Sequence, residues 1–345
     1  MRTPNHLSTL FATVASLSLA FSQSSAAPVG AAPVGILTYP VTNGTISSFG
    51  VPVLDLVKFS GTASSVAANV ITVSGVTWTA SQFSTTPHFV TIRTGAEAGR
   101  TLRVTANTTN TLTVDTEDAA LNTAGFALAT TDAFELYAGD TIGTLFGSTA
   151  DGSGVLPSGV KGGTSTANAD NIYVQSGATM VTYFFNTSLG FWVLDGTTTN
   201  QNGLILYPDD GYLIYRNGAT GSLTMVGRAP SSKLLTKLPG GSTNSISVRF
   251  PANTTLAGLN FGGPGVWIAG TSDADADTIS VWVSAGWYWQ TFFKSSATGQ
   301  WLEVGGDGSD QSNVVIPSGS SVQISKKGTA TGSASFYSQA LPYPL

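Results

Sequence analysis

The chain has 345 residues, a formal net charge of −5 and charged side chains at only 10% of its positions. The acidic balance and the scattered Lys and Arg residues exclude the basic surface on which nucleic-acid binding depends, so we expect no nucleic-acid partner. Cysteine is absent, which excludes disulfide bonds, thiolate catalysis and cysteine-ligated zinc.

The N-terminal segment has the pattern of a secretory signal peptide. One basic residue precedes an apolar run over residues 7–21, and the small residues that follow offer cleavage after Ala26 or Ala27. The run is too short to span a bilayer, and no later apolar stretch approaches the ~18 residues that a membrane helix needs. We therefore expect residues 1–27 to be a signal peptide and the mature chain to lack a transmembrane segment. The predicted location is secreted, either extracellular or at the cell surface.

The rest of the chain alternates short strand patterns with turn residues. β-Branched and aromatic runs such as residues 70–73, 89–93 and 112–114 are bounded by Gly, Ser, Thr and Asn. No window after the apolar run keeps the spacing of an amphipathic helix. The pattern predicts an all-β protein.

Two segments of the sequence resemble each other. One begins at Asp170 (DNIYVQSGATMVTYFF) and the other at Asp277 (DTISVWVSAGWYWQTFF). Further pairs match in the same order along both segments: Phe184 with Phe292, Trp192 with Trp301, Pro208 with Pro317, and Gly218 with Gly328. The similarity predicts two duplicated β-sandwich-like units, at 28–232 and 233–345, with the matched tryptophans in their cores.

An additional β module is predicted within the first of these units. Residues 37–40 and 141–147 resemble residues 235–239 and 255–262, which lie close together in the second unit. In the first unit a long segment with several strand patterns of its own separates them. We expect residues 56–138 to form a small β-barrel or sandwich inserted at a surface loop.

This module and its flanks also resemble a known family. The relevant stretches are VITVSGVTWTASQF, PHFVTIRTGAEAGRTLRVTANTTNTLTVDTEDAAL and DAFELYAGDTIGTLFG, of which GRTLRVTANTTNTLTVDT is the most specific. They are similar to an uncharacterised verrucomicrobial-type family of secreted β-rich proteins, over most of residues 35–230. The resemblance implies a secreted bacterial β protein. It implies no activity and no catalytic residue.

Catalytic residue types are scarce after the predicted cleavage site. His88 is the one remaining histidine and lies in a turn before a strand, where we expect a solvated ring without a nucleophile beside it. Asp209 and Asp210 lie between Pro208 and Gly211, a turn pattern in which both side chains face water. The sequence therefore predicts that the protein is not an enzyme and has no catalytic residue. A glycoside-active enzyme is the third interpretation of its function.

Asp273, Asp275 and Asp277 form a D-x-D-x-D pattern similar to the start of an EF-hand calcium loop. An EF-hand is excluded because Thr278 and Ser284 replace the Gly and the Glu that this loop requires. Two interpretations stay open: a single structural Ca²⁺ ion held by the aspartates, or a solvated turn before a strand. No other cofactor is predicted.

Trp287 is the candidate ligand-binding residue. Along residues 287–293 the aromatic side chains alternate, which places Trp287, Trp289 and Phe293 on one predicted strand face. Trp287 aligns with Thr179 of the other segment, whereas its aromatic neighbours align with apolar residues. It is therefore either a core residue specific to the second unit or an exposed platform on which a sugar ring stacks.

These observations favour a secreted, non-catalytic structural or adhesive protein of the cell surface or extracellular space. The alternative is a carbohydrate-binding protein that uses exposed aromatic residues, with or without calcium. The expected partners are accordingly further copies of the chain, in self-assembly, or an extracellular polysaccharide.

Overall fold

The computed structural model of the chain describes residues 34–116, 128–239, 241, 243–259, 267–284, 286, 288–327, 334–339 and 341. Its first strands, in chain order, are β1 (Val34–Val41), β2 (Ile46–Phe49), β3 (Val57–Thr62), β4 (Ser65–Ala67), β5 (Val70–Thr72), β6 (His88–Ile92), β7 (Thr101–Asn107), β8 (Thr111–Val114), β9 (Ala133–Ala138) and β10 (Asp140–Thr141). A short helix, α1 (Ile142–Phe146), follows.

The remaining strands are β11 (Asn171–Ser176), β12 (Thr179–Asn186), β13 (Phe191–Leu194), β14 (Ile205–Leu206), β15 (Tyr212–Tyr215), β16 (Gly221–Arg228), β17 (Leu234–Pro239), β18 (Thr243–Ser247), β19 (Thr254–Thr255), β20 (Thr278–Val283), β21 (Tyr288–Lys294), β22 (Trp301–Glu303), β23 (Val315–Ile316), β24 (Ser321–Ser325) and β25 (Ala334–Gln339). The prediction of an all-β protein is confirmed. None of the described residues belongs to a helix long and apolar enough to cross a membrane.

We call β1, β2 and β10–β16 the first β unit. It contains the five-stranded antiparallel sheet β13-β12-β11-β15-β2 and two ribbons, β1–β16 and β10–β14. Trp192 is fully buried in its core, and the indole Nε1 donates a hydrogen bond of 2.8 Å to the carbonyl of Gly147, just after α1. The ring thus contributes apolar contacts and also satisfies a carbonyl at the helix end.

We call β17–β25 the second β unit. Its sheet has the order β22-β21-β20-β24-β18, and its ribbons are β17–β25 and β19–β23. Each strand of this unit therefore has a counterpart, in the same order and with the same pairing, in the first β unit. Trp301 is buried in the core, as predicted for both matched tryptophans.

The strand register corrects one detail of the sequence alignment. Ile172 lies opposite Tyr183 in the first β unit, and Ile279 lies opposite Phe292 in the second. Phe292 therefore corresponds to Tyr183, and its alignment with Phe184 was wrong by one residue. The cause is a longer hairpin loop in the second β unit, and a slip of one residue moves a side chain to the opposite face of a strand.

The middle sheet consists of β3–β9 in the order β3-β9-β6-β7-β8-β5-β4, and it curls into a half-barrel. All of its strands lie between Val57 and Ala138. It has its own apolar core, which includes Ile71, Leu112 and Phe134. The connection from β2 to β10 is thus a folded β layer and not an extended loop.

Candidate functional site

The first and second β units meet through reciprocal contacts of their sheets. Strand β2 contacts β24, and β15 contacts β18. The amide of Gly50 donates to the carbonyl of Gly319 over 2.8 Å, and the amide of Ser247 donates to that of Asp209 over 2.9 Å. Because β2 corresponds to β18 and β15 to β24, the two units exchange roles about an approximate two-fold axis.

Small residues make this close approach sterically feasible. A Cβ atom added to Gly50 would lie 2.0 Å from the Ser247 Oγ and 2.7 Å from its Cβ. A Cβ atom at Gly211 would lie 2.5 Å from the Cβ of Ser321. Both glycines are therefore required by packing between the units.

Arg249 connects this contact to the middle sheet. The residue is fully buried, and its Nη1 forms an ion pair with the carboxylate of Asp209 and a 3.1 Å hydrogen bond with the hydroxyl of Thr101. Asp209 belongs to the first β unit, Arg249 to the second and Thr101 to the middle sheet. One buried guanidinium thus touches all three.

The expectation that Asp209 and Asp210 both face water was wrong for Asp209. Its side chain is only 23% exposed, because its carboxylate is the partner of buried Arg249. A buried guanidinium requires a nearby carboxylate to offset its desolvation. Asp210 is exposed, as the turn pattern predicted.

Two recesses flank these aspartates and form the candidate functional site. The larger, of about 380 Å³, is polar, and its lining includes Gln175, Lys237 and Asn244 together with both aspartates. The smaller lies between the first β unit and the middle sheet and is lined in part by Arg103 and Tyr207, whose Nη1 and hydroxyl are 3.3 Å apart. The larger recess has room for a small polyhydroxylated ligand, whereas the smaller one, of about 50 Å³, does not.

A second buried ion cluster attaches the middle sheet to the first β unit. Glu135 of β9 lies 3.0 Å from the Nη1 of Arg228 in β16 and 3.7 Å from the Nη1 of Arg93. Arg228 also donates from Nε to the carbonyl of Asp55 and lies over the ring of Tyr137. Burial lowers the pKa of Arg93, and the charge of Glu135 partly offsets this effect.

The predicted calcium ligands lie in three different environments. Asp277 is fully buried and pairs with Lys326, and its carboxylate also accepts hydrogen bonds from the amides of Ile268 and Lys327. Asp273 is exposed on the loop surface. The structure does not bring the aspartates together, and among the described residues no group of three His, Asp or Glu side chains could hold a metal ion.

Asp275 stabilises its own loop. Its carboxylate accepts hydrogen bonds from the amides and hydroxyls of Thr271 and Ser272. The backbone amides of Thr271 and Ser272 are the main reason that the pKa of Asp275 falls to about 2. Asn168 makes the matching contact with the amide of Ser165 in the first β unit, so an uncharged side chain serves at the corresponding position.

The prediction of a solvated His88 ring was wrong. His88 is only 6% exposed because β6 lies between two neighbouring strands of the middle sheet, and all five residues of this strand are buried. The Nδ1 atom lies 2.9 Å from the carbonyl of Thr86, and the imidazole packs against the ring of Phe83 with 4.9 Å between centroids. The contacts of His88 are those of a core residue.

Trp287 lies outside the described residues. The register nevertheless corrects its alignment, because the hairpin of the second β unit closes with Val283 opposite Tyr288 and that of the first with Ser176 opposite Thr179. Thr179 thus corresponds to Tyr288 and not to Trp287. The ring of Tyr288 is 50% exposed on this hairpin.

Sequence reasoning missed Trp282 in the same hairpin. Its ring packs edge-on against Trp289 with 5.1 Å between centroids, and its Nε1 donates to the carbonyl of Ile46 in β2. Both rings are half-buried. The position of Trp282 opposite Trp289 could have been found from the hairpin register, but its contact with β2 depends on how the two units pack.

A comparison with protein-family models finds no match, and comparisons with curated proteins and with solved structures find none either.

Proposed function

We propose that this chain is a secreted, non-catalytic structural or adhesive protein of the extracellular space or cell surface. The observation that carries the proposal is that many of its charged residues are buried in ion pairs inside the fold. Arg249, Arg228 and Glu135 are buried where the β units and the middle sheet meet. Asp170 and Asp277 are buried inside the two β units, paired with Arg216 and Lys326.

These ion pairs stabilise the β units and the contacts between them, whereas a catalytic site needs charged groups that a substrate can reach. The charged groups named above are nearly or fully buried and pair with oppositely charged side chains of the same chain, so a substrate in solvent cannot reach them. The N-terminal signal pattern and the low share of charged residues support an extracellular role. The resemblance to a secreted β-rich family supports the same location.

The proposal is tested by locating and visualising the protein. Cell fractionation should find it in the medium or on the cell surface, and negative-stain microscopy should show assemblies or attachment to surface material. A screen against glycoside and ester substrates should find no turnover. Turnover that falls about 100-fold or more in the His88→Ala variant, the scale expected of a general base, would contradict the non-catalytic role.

Carbohydrate binding is the second candidate, and the polar recess at Asp209 and Asp210 favours it. The lining of this recess is mostly polar, and polar linings suit ligands whose hydroxyl groups both donate and accept hydrogen bonds. A glycan array tests this function directly. Loss of binding in the Asp210→Ala variant would assign the ligand to the recess, whereas loss in Trp287→Ala would assign it to the aromatic platform expected from the sequence.

A further inference from the structure

The hairpins β11–β12 and β20–β21 occupy equivalent places in the two β units. In the first unit Gln175 lies opposite Met180, one residue pair before the last pair of the hairpin. In the second unit Trp282 lies opposite Trp289 at the same distance from the turn. The strand register therefore makes Gln175 the counterpart of Trp282.

Both side chains form a hydrogen bond with the facing unit at the same position. The Nε2 of Gln175 donates to the carbonyl of Thr243 in β18 over 2.8 Å, and the Nε1 of Trp282 donates to the carbonyl of Ile46 in β2 over 2.7 Å. Thr243 and Ile46 are themselves counterparts, because each lies four residues before the residue whose amide bonds the facing unit. The approximate two-fold relation thus includes these side chains, although one is a carboxamide and the other an indole.

The surroundings of this shared contact differ between its two sides. On one side the indole of Trp282 packs against the ring of Trp289, with 5.1 Å between centroids. On the other side lies the polar recess of about 380 Å³, whose lining comes from both β units and includes Gln175 and Asn244. The counterpart of Asn244 is Ser47, which has a shorter side chain. The smaller Gln175 therefore borders an open recess at the position where its counterpart places a large ring.

We propose that Gln175 keeps this recess open for a ligand of one or two sugar residues, which is held between the two β units. The volume lies near the lower end of the roughly 300–1,000 Å³ that small-molecule sites occupy, so it suits a short saccharide. The lining is mostly polar, and sugar hydroxyl groups can both donate to such a lining and accept from it. This site rests on the carbohydrate-binding candidate function, and it makes Gln175 the residue that decides whether a sugar can enter.

The internal counterpart supplies the substitution that tests the site. Gln175→Trp copies the residue of the second β unit, where the same contact accommodates an indole, and it should fill the recess without unfolding the chain. We expect the full chain to bind neutral mono- or disaccharides on a glycan array, and calorimetry with the bound sugars to show binding about tenfold weaker or more in Gln175→Trp. Thr179→Trp is the matched control, because it adds the same ring to the same hairpin outside the recess, where the second unit has the exposed Tyr288.

Asn244→Ser gives a second measurement. It also copies a counterpart residue, Ser47, and it removes an amide from the lining without filling the recess. We expect it to weaken sugar binding severalfold. A chain that binds no saccharide would contradict both the candidate function and this site. Binding that survives Gln175→Trp, or that Thr179→Trp weakens equally, would place the sugar elsewhere and overturn this site alone.

Discussion

The two β units have the same strand order, but they differ in how they hold a buried carboxylate. In the first, Asp170 pairs with Arg216 and accepts hydrogen bonds from the amides of Lys161, Asn217 and Gly218. In the second, Asp277 pairs with Lys326, and its carboxylate accepts hydrogen bonds from the amides of Ile268 and Lys327. The fold therefore requires a buried cation and amide donors at this position but not one particular cation.

The loops before these carboxylates differ more. Thr166 and Asn168 precede Asp170, whereas Asp273 and Asp275 precede Asp277. Because the first unit has the uncharged Thr166 and Asn168 at these two positions, the carboxylates of Asp273 and Asp275 are not needed for the loop structure that the two units share. Of the three aspartates in the calcium pattern, Asp277 therefore has a carboxylate at the matching position of the first unit, whereas Asp273 and Asp275 do not.

Removing the buried carboxylate should have the largest effect in both units. We expect Asp170→Asn and Asp277→Asn each to lower the free energy of unfolding by about 3–5 kcal/mol, because Arg216 or Lys326 would remain buried without its partner. Urea denaturation measures the loss, with exposed Asp273→Asn as the control. A loss below ~1 kcal/mol in either unit would mean that its ion pair is dispensable.

The contact between the units can be broken at Gly50. Gly50→Ala should cost about 1–3 kcal/mol, because the new methyl group would overlap Ser247. The control is Gly203→Ala, where a Cβ would meet no atom within 4 Å. A second substitution sharpens the test: adding Ser247→Gly removes the atoms that the new methyl group would overlap and should recover part of the loss. If the double variant is no more stable than Gly50→Ala, the overlap with Ser247 is not the cause.

A third difference lies in the ribbons β10–β14 and β19–β23, where Asp140 occupies the position of Thr254. Burial raises the pKa of Asp140 to about 6, and the hydroxyl of Thr144 partly offsets this. The native state then binds this proton more tightly than the unfolded state, so stability falls as pH rises from about 4 to about 6 and is level above that range.

Asp140→Asn should remove this component of the pH dependence and stabilise the protein at pH 7 by about 2 kcal/mol or less. Denaturation of both proteins from pH 4 to pH 8 checks this. The difference between the two curves isolates Asp140 from carboxylates such as Asp275, whose lowered pKa acts in the opposite direction. A difference that does not change with pH would contradict the assignment.

The smallest expected effect concerns calcium. Asp273→Asn should change the free energy of unfolding by less than ~0.5 kcal/mol, because this exposed residue occupies the position of Thr166. Adding Ca²⁺ should not raise the melting temperature, since Asp275 and Asp277 are engaged by other donors. A clear rise that Asp273→Asn abolishes would support the interpretation of these aspartates as a calcium site.

Local pattern in the sequence determined the all-β class and the strand patterns of the middle sheet, because alternation, β propensity and turn residues are properties of neighbouring positions. The burial of Trp192 and Trp301 was predicted instead from the similarity between two segments of the sequence. The loop difference that misaligned Phe184 with Phe292 is also local, but only strand pairing reveals it.

The tertiary structure alone decided the environments of charged and polar residues. The sequence pattern predicts a solvated Asp209, whereas in the structure its carboxylate pairs with buried Arg249 of the second β unit. The pattern also predicts a solvated His88 ring, whereas the ring is buried because β6 lies between two strands of the middle sheet. Desolvation and ion pairing depend on groups far apart in the chain, which a local pattern cannot place.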